Sequence, residues 1–596
     1  MSTVTFIDKE ITKLELTGLS KTIWQERYAH DNETWGGTCK RVADYVAMAE
    51  NGDKAVWADR FRTMMEEQDF IPGGRILANC GRVGGQLLNC FVIPVEDNRE
   101  SIGDLVKETL IISGTGGGIG ISFKNLRYRG AKIVRAGGSS SGSVSFMDVV
   151  DSVASTIKTG GGRRAALMLS LPVDHPDIEE FLKHKLDLNN LNNANVSVEI
   201  NNDFIDAVKR DKNWDLVWAG QVVRTVKARK LWNKICKNAV TCGEPGILNL
   251  ELMEEMSNSY YYAKILTTNP CGEQPLPAYS ACCLGSVNIN NFVKNGRIKE
   301  SPFKQAVATA VRFLDNVLTV NTYPLDAIKS TVTAERRIGL GLMGIHSAML
   351  QMGIKYSSRE GLEFIEWVYK TLRDESYKAS AELAAEKGAF GLFDVEAYLE
   401  SGFVKGLPIG VKRKIREKGM RNVTVNTAAP TGTTSMLCGV SSGIEPIFAP
   451  VYKRTFFSDK AESGRKSEIV VDVEVQKALE DGKSFEELAE FFEGAYDVPV
   501  EQHFRVQETV QRCLDSATSK TINVPKGFDY TELERLMLKY AKNLKGTTIY
   551  MAGSREFEPL QPMTFNRANL KEALKNTRRE QDKEAREDCA GGTCDV

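Results

Sequence analysis

The chain has 596 residues, 42% hydrophobic and 26% charged, a globular composition that excludes disorder of the whole. Its 77 basic and 78 acidic residues leave a formal net charge of -1, which excludes a surface built to coat nucleic acid or an anionic membrane, so any nucleotide it binds is a small molecule. The start, MSTVTFIDKEITKLELTG, has neither the apolar centre of a signal peptide nor a bilayer-spanning run; a cytoplasmic location is expected, where 12 cysteines are individual thiols rather than a disulfide framework.

Residues 1–69 read as a helical segment, because TIWQERYAH and RVADYVAMAE repeat apolar positions at three-to-four spacing. Over residues 70–561, short apolar runs such as LLNCFVIPV, GIGISF and ALMLSL alternate with glycine turns and with amphipathic stretches such as SFMDVVDSVASTIK and HPDIEEFLKHK. That alternation predicts an α/β domain with parallel strands. Helices are expected over 302–318 and 360–387, and strands at NVTVNTAAP and KGTTIYMAG. Residues 562–596 are highly charged and poor in large apolar side chains, which predicts a mobile tail, ending in the pair Cys589 and Cys594.

The glycine run Ser113-Gly114-Thr115-Gly116-Gly117-Gly118-Ile119-Gly120 invites a dinucleotide reading. The third glycine of G-x-G-x-x-G would fall on Ile119, however, and IGISFKNLRY reads as a strand and not as the helix that must cap a phosphate, so this site is rejected. No G-x-x-x-x-G-K-[ST] loop occurs either.

Asn269-Pro270-Cys271-Gly272-Glu273-Gln274-Pro275-Leu276 is the most informative stretch. Proline and glycine on either side of Cys271 oppose regular structure and place the thiol on a tight loop, two residues from a carboxylate. A lone cysteine there would be a structural thiol beside a turn. Its company is Cys90 in LLNCFVIP, Cys282 and Cys283 in YSACCLGSVNIN, and the Cys589–Cys594 pair. No C-x-x-C or H-x-x-H spacing exists, so a protein metal site is not expected. Redox work fits better, since two thiols on a flexible terminus can enter a pocket, exchange with an internal disulfide and carry the oxidised pair to an external dithiol.

With these motifs in view, the sequence resembles the catalytic subunits of ribonucleotide reductases over nearly its whole length. The resemblance implies a ten-stranded α/β barrel of two antiparallel halves, each of five parallel strands, with Cys271 on a central finger loop. It implies a thiyl radical on Cys271 that takes the ribose 3′ hydrogen, Glu273 as base on the 3′ hydroxyl and Asn269 holding that hydroxyl. Cys90 would be one reducing thiol and Cys282 the other; Cys283, in a slot often asparagine in relatives, leaves open which of the two neighbours pairs with Cys90. Cys589 and Cys594 match the tail shuttle, re-reduced by a thioredoxin- or glutaredoxin-like partner. The chemistry requires such a set, because expelling the 2′ hydroxyl as water takes a neighbouring carbon radical, a base and two electrons from a dithiol.

Thr431, Gly432, Thr433, Thr434 and Ser435, after the strand NVTVNTA, resemble the loop for the substrate phosphates, with hydroxyls and free backbone N–H groups as donors, although the same cluster would serve as an ordinary helix cap. Gly73 and Gly74, in Phe70-Ile71-Pro72-Gly73-Gly74-Arg75, resemble the segment closing that pocket. Asp97 and Arg135 match positions that in relatives hold a deoxynucleotide or ATP effector, and Arg135–Gly138 and Thr159–Arg164 match loops joining that site to the substrate base. The helical entry is shorter than the nucleotide cone of many relatives, so an overall activity switch is not expected. Diphosphate substrates and a homodimer are commonest among relatives, and both stay open.

Three radical sources divide the family. The glycyl-radical version needs an R-V-x-G-Y-like motif near the end, which is absent. The version fed by a metallo-subunit relays through two consecutive tyrosines, whereas Thr548-Ile549-Tyr550-Met551 has methionine in the second place. The resemblance therefore points to adenosylcobalamin, which would keep its own base because no D-x-H-x-x-G motif occurs. A reductase fed by a partner subunit and a silent nucleotide-binding regulator are the alternatives.

Overall fold

The protein is represented by a computed structural model that describes residues 15–134, 137–157, 166–187, 189–457, 465–554 and 560–576. Three helices lead the chain: α1 (Gly18–Arg27), α2 (Trp35–Ala47) and α3 (Lys54–Glu66). The side chains of Thr34 and Asp53 cap α2 and α3 by accepting the N–H of Gly37 and Val56, satisfying donors that a helix start leaves open. Val42, Val46, Phe61 and Met65 are buried on their inner face, and Phe61 meets Phe313 edge-on with ring centroids 5.2 Å apart.

The remainder is mixed α/β around one ten-stranded sheet. Its strands are β1 (Phe70–Pro72), β2 (Cys90–Val92), β3 (Gly118–Ser122), β4 (Leu167–Pro172), β5 (Ala194–Ile200), β6 (Gly246–Asn249), β7 (Ala281–Asn288), β8 (Ile338–Met343), β9 (Thr521–Val524) and β10 (Gly546–Met551). β2, β3, β4, β5 and β6 run parallel, each beside the next. β6 then meets β10 antiparallel, while β10 is parallel to β9. At the other end β7 is antiparallel to β1 and β2 but parallel to β8. Helices cover the strands, so β4, β7 and β8 are buried nearly end to end, which is why they read as continuous apolar runs rather than alternating ones.

Residues 424–428, within the expected strand NVTVNTAAP, run between β8 and the approach to β9. Leu340 donates its N–H to Val425 O (2.8 Å), Thr427 to Leu340 O (3.1 Å), and Ser519 to Ala428 O (2.9 Å). The glycine run is the end of the helix Arg99–Gly114 followed by β3, in keeping with its rejection as a phosphate loop. Among the described residues no helix is long and apolar enough to cross a membrane.

An outer unit was not foreseen. The hairpin Val451–Phe457 with Arg465–Val471 gains Leu560–Pro562 as a third strand, and the helices Val473–Glu480 and Phe485–Phe491 join it. The expected mobile tail from residue 562 needs correction here, because residues 567–576 are helical and Leu570 and Ala573 are buried against Val451, Val475 and Leu488. The charged composition hid this, since a short helix needs only a few apolar residues on one face to dock.

Candidate active site

The finger loop is the turn of a small hairpin, Thr267–Thr268 against Pro275–Leu276. Its passage across the sheet explains the glycine run: a Cβ on Gly120 would lie 1.9 Å from Thr268 O, and one on Gly118 would lie 2.9 Å from Pro270. Gly272 has φ +81°, a conformation open to glycine without strain, and donates its N–H to Asn269 O (3.0 Å). The loop is tied down from several sides. Asn195 Nδ2 donates to Pro270 O (2.8 Å), Gln274 N to Asn269 Oδ1 (2.9 Å), and Thr427 Oγ1 and Ala517 N both donate to Glu273 O (3.0 and 2.9 Å).

Cys271 lines two cavities, one of about 420 Å³ and one of about 120 Å³. The Cys271 residue is exposed, on the side of these cavities, yet enough protein surrounds the thiol that burial, then Glu273 and Cys90, push its pKa well up. Glu273 lines the larger cavity. Burial lifts its carboxyl to about 7, against the lowering effect of the Asn269 side chain, because the charged form loses water that protein does not fully replace. Its Oε2 is buried without a hydrogen-bond partner among the described residues.

Cys90 also lines the larger cavity, and Asn269 Nδ2 reaches its sulfur at 3.1 Å. Cys90 on β2 and Cys282 on β7 are directly paired across the antiparallel ladder. The contact with Cys282, followed by burial, raises the Cys90 pKa, and burial raises that of Cys282, so both stay thiols near neutrality. Successive side chains of a strand face opposite ways, and Cys283 accordingly points into the main core near Cys80 and Asp315. The strand register thus places Cys282, and not Cys283, beside Cys90.

The larger cavity is lined as well by Thr431, Gly432, Thr433 and Thr434 and by Gly73, Gly74 and Arg75. Thr431 holds a left-handed φ of +52° at the start of the short helix Gly432–Cys438 and accepts Gly443 N–H on its Oγ1 (2.8 Å). Ser435 lies in the next turn, its Oγ donating back to Gly432 O (3.2 Å). A Cβ on Gly73 would lie 2.7 Å from Asn89 Oδ1, so glycine lets this segment pack against Asn89. Tyr28, from the loop after α1, is hydrogen-bonded to Thr433 Oγ1 and so joins the helical entry to this wall.

Asp97 is outside both cavities, its carboxylate held by Arg127 Nε (2.8 Å) and by Arg127 N (3.1 Å). Arg135, the span 159–164, Cys589 and Cys594 lie outside the described residues. Sequence reasoning missed Asn89, whose buried Oδ1 lacks a partner among the described residues and which lines the larger cavity, although it stands next to Cys90 in the quoted motif. It also missed the smaller cavity, whose walls come from Asn195, Gly243, Gly246, Thr518, Lys520 and Thr548. These are scattered over several elements and share no local spacing.

The family described as "Ribonucleotide reductase, barrel domain" matches residues 88–550, and "Ribonucleotide reductase, all-alpha domain" matches residues 14–85. Among curated relatives, the "Vitamin B12-dependent ribonucleoside-diphosphate reductase" of Thermoplasma acidophilum is 36% identical over 587 residues, covering 94% of this chain and 74% of the relative. A protein of the same name from Mycobacterium tuberculosis (strain CDC 1551 / Oshkosh) is 32% identical over 611 residues, covering 98% and 85%. The "Ribonucleoside-diphosphate reductase subunit alpha" of Chlamydia muridarum is 27% identical over 482 residues, covering 70% and 46%.

Proposed function

The chain belongs to the ribonucleotide reductase family, and from that premise we propose that it reduces ribonucleoside diphosphates to 2′-deoxyribonucleotides with adenosylcobalamin as radical source. One observation carries this reading: Cys271 stands where two cavities meet, and the larger of them also has Glu273 and Cys90 in its wall.

The larger cavity fits a ribonucleotide, its phosphates between Thr431–Thr434 with Ser435 behind and Gly73–Gly74 with Arg75, its ribose toward Cys271. The thiyl form of Cys271 takes the 3′ hydrogen. Glu273, with a carboxyl near 7, is partly ionised at neutral pH and accepts the 3′ hydroxyl proton, while Asn269 holds that hydroxyl. Cys90 and Cys282 then give two hydrogen atoms, the 2′ oxygen leaves as water, and a Cys90–Cys282 disulfide remains. Because both sulfurs begin as protonated thiols, the hydrogens are at hand without an outside acid. Glu273 returns its proton to the 3′ oxygen and Cys271 returns hydrogen to the 3′ carbon, and Cys589 and Cys594 carry electrons from a thioredoxin- or glutaredoxin-like protein to the disulfide.

The smaller cavity suits the nucleoside part of the cofactor. Gly243, Gly246, Gly272 and Gly546 present backbone to it, a Cβ on Gly246 would sit 2.9 Å from Ser197 Oγ, and Thr518, Ser519, Thr547 and Thr548 supply polar groups. Adenosylcobalamin, when bound, supplies hydrogen-abstracting radical chemistry. The chain's part is to keep Cys271 within reach of both cavities and away from bulk water.

The same reading includes a sheet closed into a ten-stranded barrel of two antiparallel five-stranded halves, for which the ladder bonds on both sides of 424–428 speak. It also includes a helical entry over 1–69, a catalytic domain from 70 onward, a redox tail that begins only beyond the docked helix 567–576, an effector site at Asp97 and Arg135, a homodimer and a cytoplasmic location. Incubation without oxygen with adenosylcobalamin, a ribonucleoside diphosphate and dithiothreitol tests the function. Deoxynucleotide is expected; activity that needs a second metalloprotein and ignores cobalamin, or no product at all, would overturn it.

A further inference from the structure

The two cavities that meet at Cys271 are joined by a second route, away from the finger loop. Lys520 contributes to the wall of the smaller cavity. Its side chain has 0% exposure and its Nζ is 2.5 Å from Glu445 Oε2. Thr521 N donates to the other oxygen of the same carboxylate (2.7 Å). Glu445 ends the segment that folds back on the phosphate-type loop: its N–H goes to Ser442 O (2.8 Å), Ser442 Oγ donates to Pro430 O, and Gly443 N donates to Thr431 Oγ1 (2.8 Å). The strip 517–520 is fastened on its other side as well, through Ser519 N to Ala428 O (2.9 Å) and Ala517 N to Glu273 O (2.9 Å).

A fully buried ammonium is held only where its counter-charge stays in place, because separating the pair strands a charge in protein. Moving Glu445, whose own side chain is 25% exposed, away from Lys520 would leave the buried ammonium without its carboxylate, and Lys520 belongs to the wall of the smaller cavity. From this, and resting on the two-cavity reading above, we infer that the Glu445–Lys520 pair is a positioning strut that links the cavities thermodynamically, so that a ligand in either one raises affinity for a ligand in the other. Neither residue touches the reacting atoms. Their work is to make the position of Thr431–Thr434 and that of Thr518–Lys520 a single variable, which any ligand that prefers one arrangement biases for both.

The test uses the full chain carrying Cys271→Ser, which cannot turn over. Calorimetric titration, in the dark and without oxygen, gives the dissociation constant of a ribonucleoside diphosphate with and without saturating adenosylcobalamin. The ratio expected is about five or more, and the reverse titration returns the same factor. Lys520→Met and Glu445→Gln are each expected to bring the ratio to about one while either ligand alone still binds, and Lys520→Arg to keep most of it. Since Glu445→Gln strands the buried ammonium and Lys520→Met leaves a partly exposed carboxylate unpaired, the double variant Lys520→Met/Glu445→Gln repeats the measurement with both charges removed and the melting temperature compared with the parent. A ratio unchanged in the double variant, or no linkage in a parent that binds both ligands, overturns the strut and leaves the function standing. A parent that binds neither ligand overturns the function itself.

Discussion

The finger-loop region and the outer unit bury their side chains on opposite terms. In the outer unit Ile447, Val451, Val471, Val475, Leu488 and Leu570 fill one another's space, and among its described residues no buried side-chain polar atom lacks a partner. Around the finger loop Thr268 Oγ1, Glu273 Oε2, both side-chain amide atoms of Gln274 and Asn89 Oδ1 are all buried without a partner among the described residues. Each such group costs about 1–3 kcal/mol, a burden that folding alone gives no reason to carry. The outer unit is packed for stability, whereas the finger loop is held in a costly arrangement that a polar ligand would relieve.

The sharpest probe of that contrast lies within β7, where neighbouring thiols face different surroundings. Cys282→Ser should cut deoxynucleotide formation by about 10⁴-fold or more, as loss of a member of a reacting unit does. Cys283→Ser should leave turnover in place and instead cost about 1–3 kcal/mol in denaturant unfolding, because it buries a hydroxyl in the core. Equal loss of activity in both would erase the distinction.

Glu273→Gln comes next. It should lower kcat by about 10²–10⁴-fold and remove the rise of activity with pH that the intact carboxyl produces near 7. Its effect on stability should have the opposite sign. A carboxyl raised from 4.5 to about 7 on folding contributes stability that is full below the lower value and lost as pH climbs through the higher one. The glutamine variant should therefore be the more stable protein above pH 7, by on the order of 3 kcal/mol, with a flatter stability profile between the two values. Chemical denaturation across that range checks it; a variant less stable at pH 8 would show that the carboxylate is well solvated.

The smallest effect on chemistry is expected in the outer unit. Leu570→Ala should destabilise that unit by about 2–5 kcal/mol, seen as faster amide exchange over 451–457 and 560–576, with kcat within about two-fold of the parent. A large loss of kcat would mean that the outer unit shapes the site after all.

What could be read from the residues follows the same division. Cys271 and Glu273 share one five-residue motif, and Cys90 and the 431–435 cluster stand in short motifs of their own, so the family was legible. The choice between Cys282 and Cys283 was not, because it turns on ladder register, which β2 sets from nearly two hundred residues away. Gly118 and Gly120 looked like a failed nucleotide motif; only the path of the hairpin shows that they clear its way. The docked helix at 567–576 was masked by its charges, and the smaller cavity, gathered from Asn195, Gly243, Lys520 and Thr548, leaves no trace in any single stretch of sequence.

The central claim is that one sulfur, reached from both cavities, carries the hydrogen transfer between them. Parallel anaerobic assays of the parent and of Cys271→Ser, each supplied with adenosylcobalamin, ribonucleoside diphosphate and dithiothreitol, test it most directly when both ligands are first shown to bind. The account predicts deoxynucleotide from the parent and none from the variant. Product from Cys271→Ser at a rate near the parent's would contradict it.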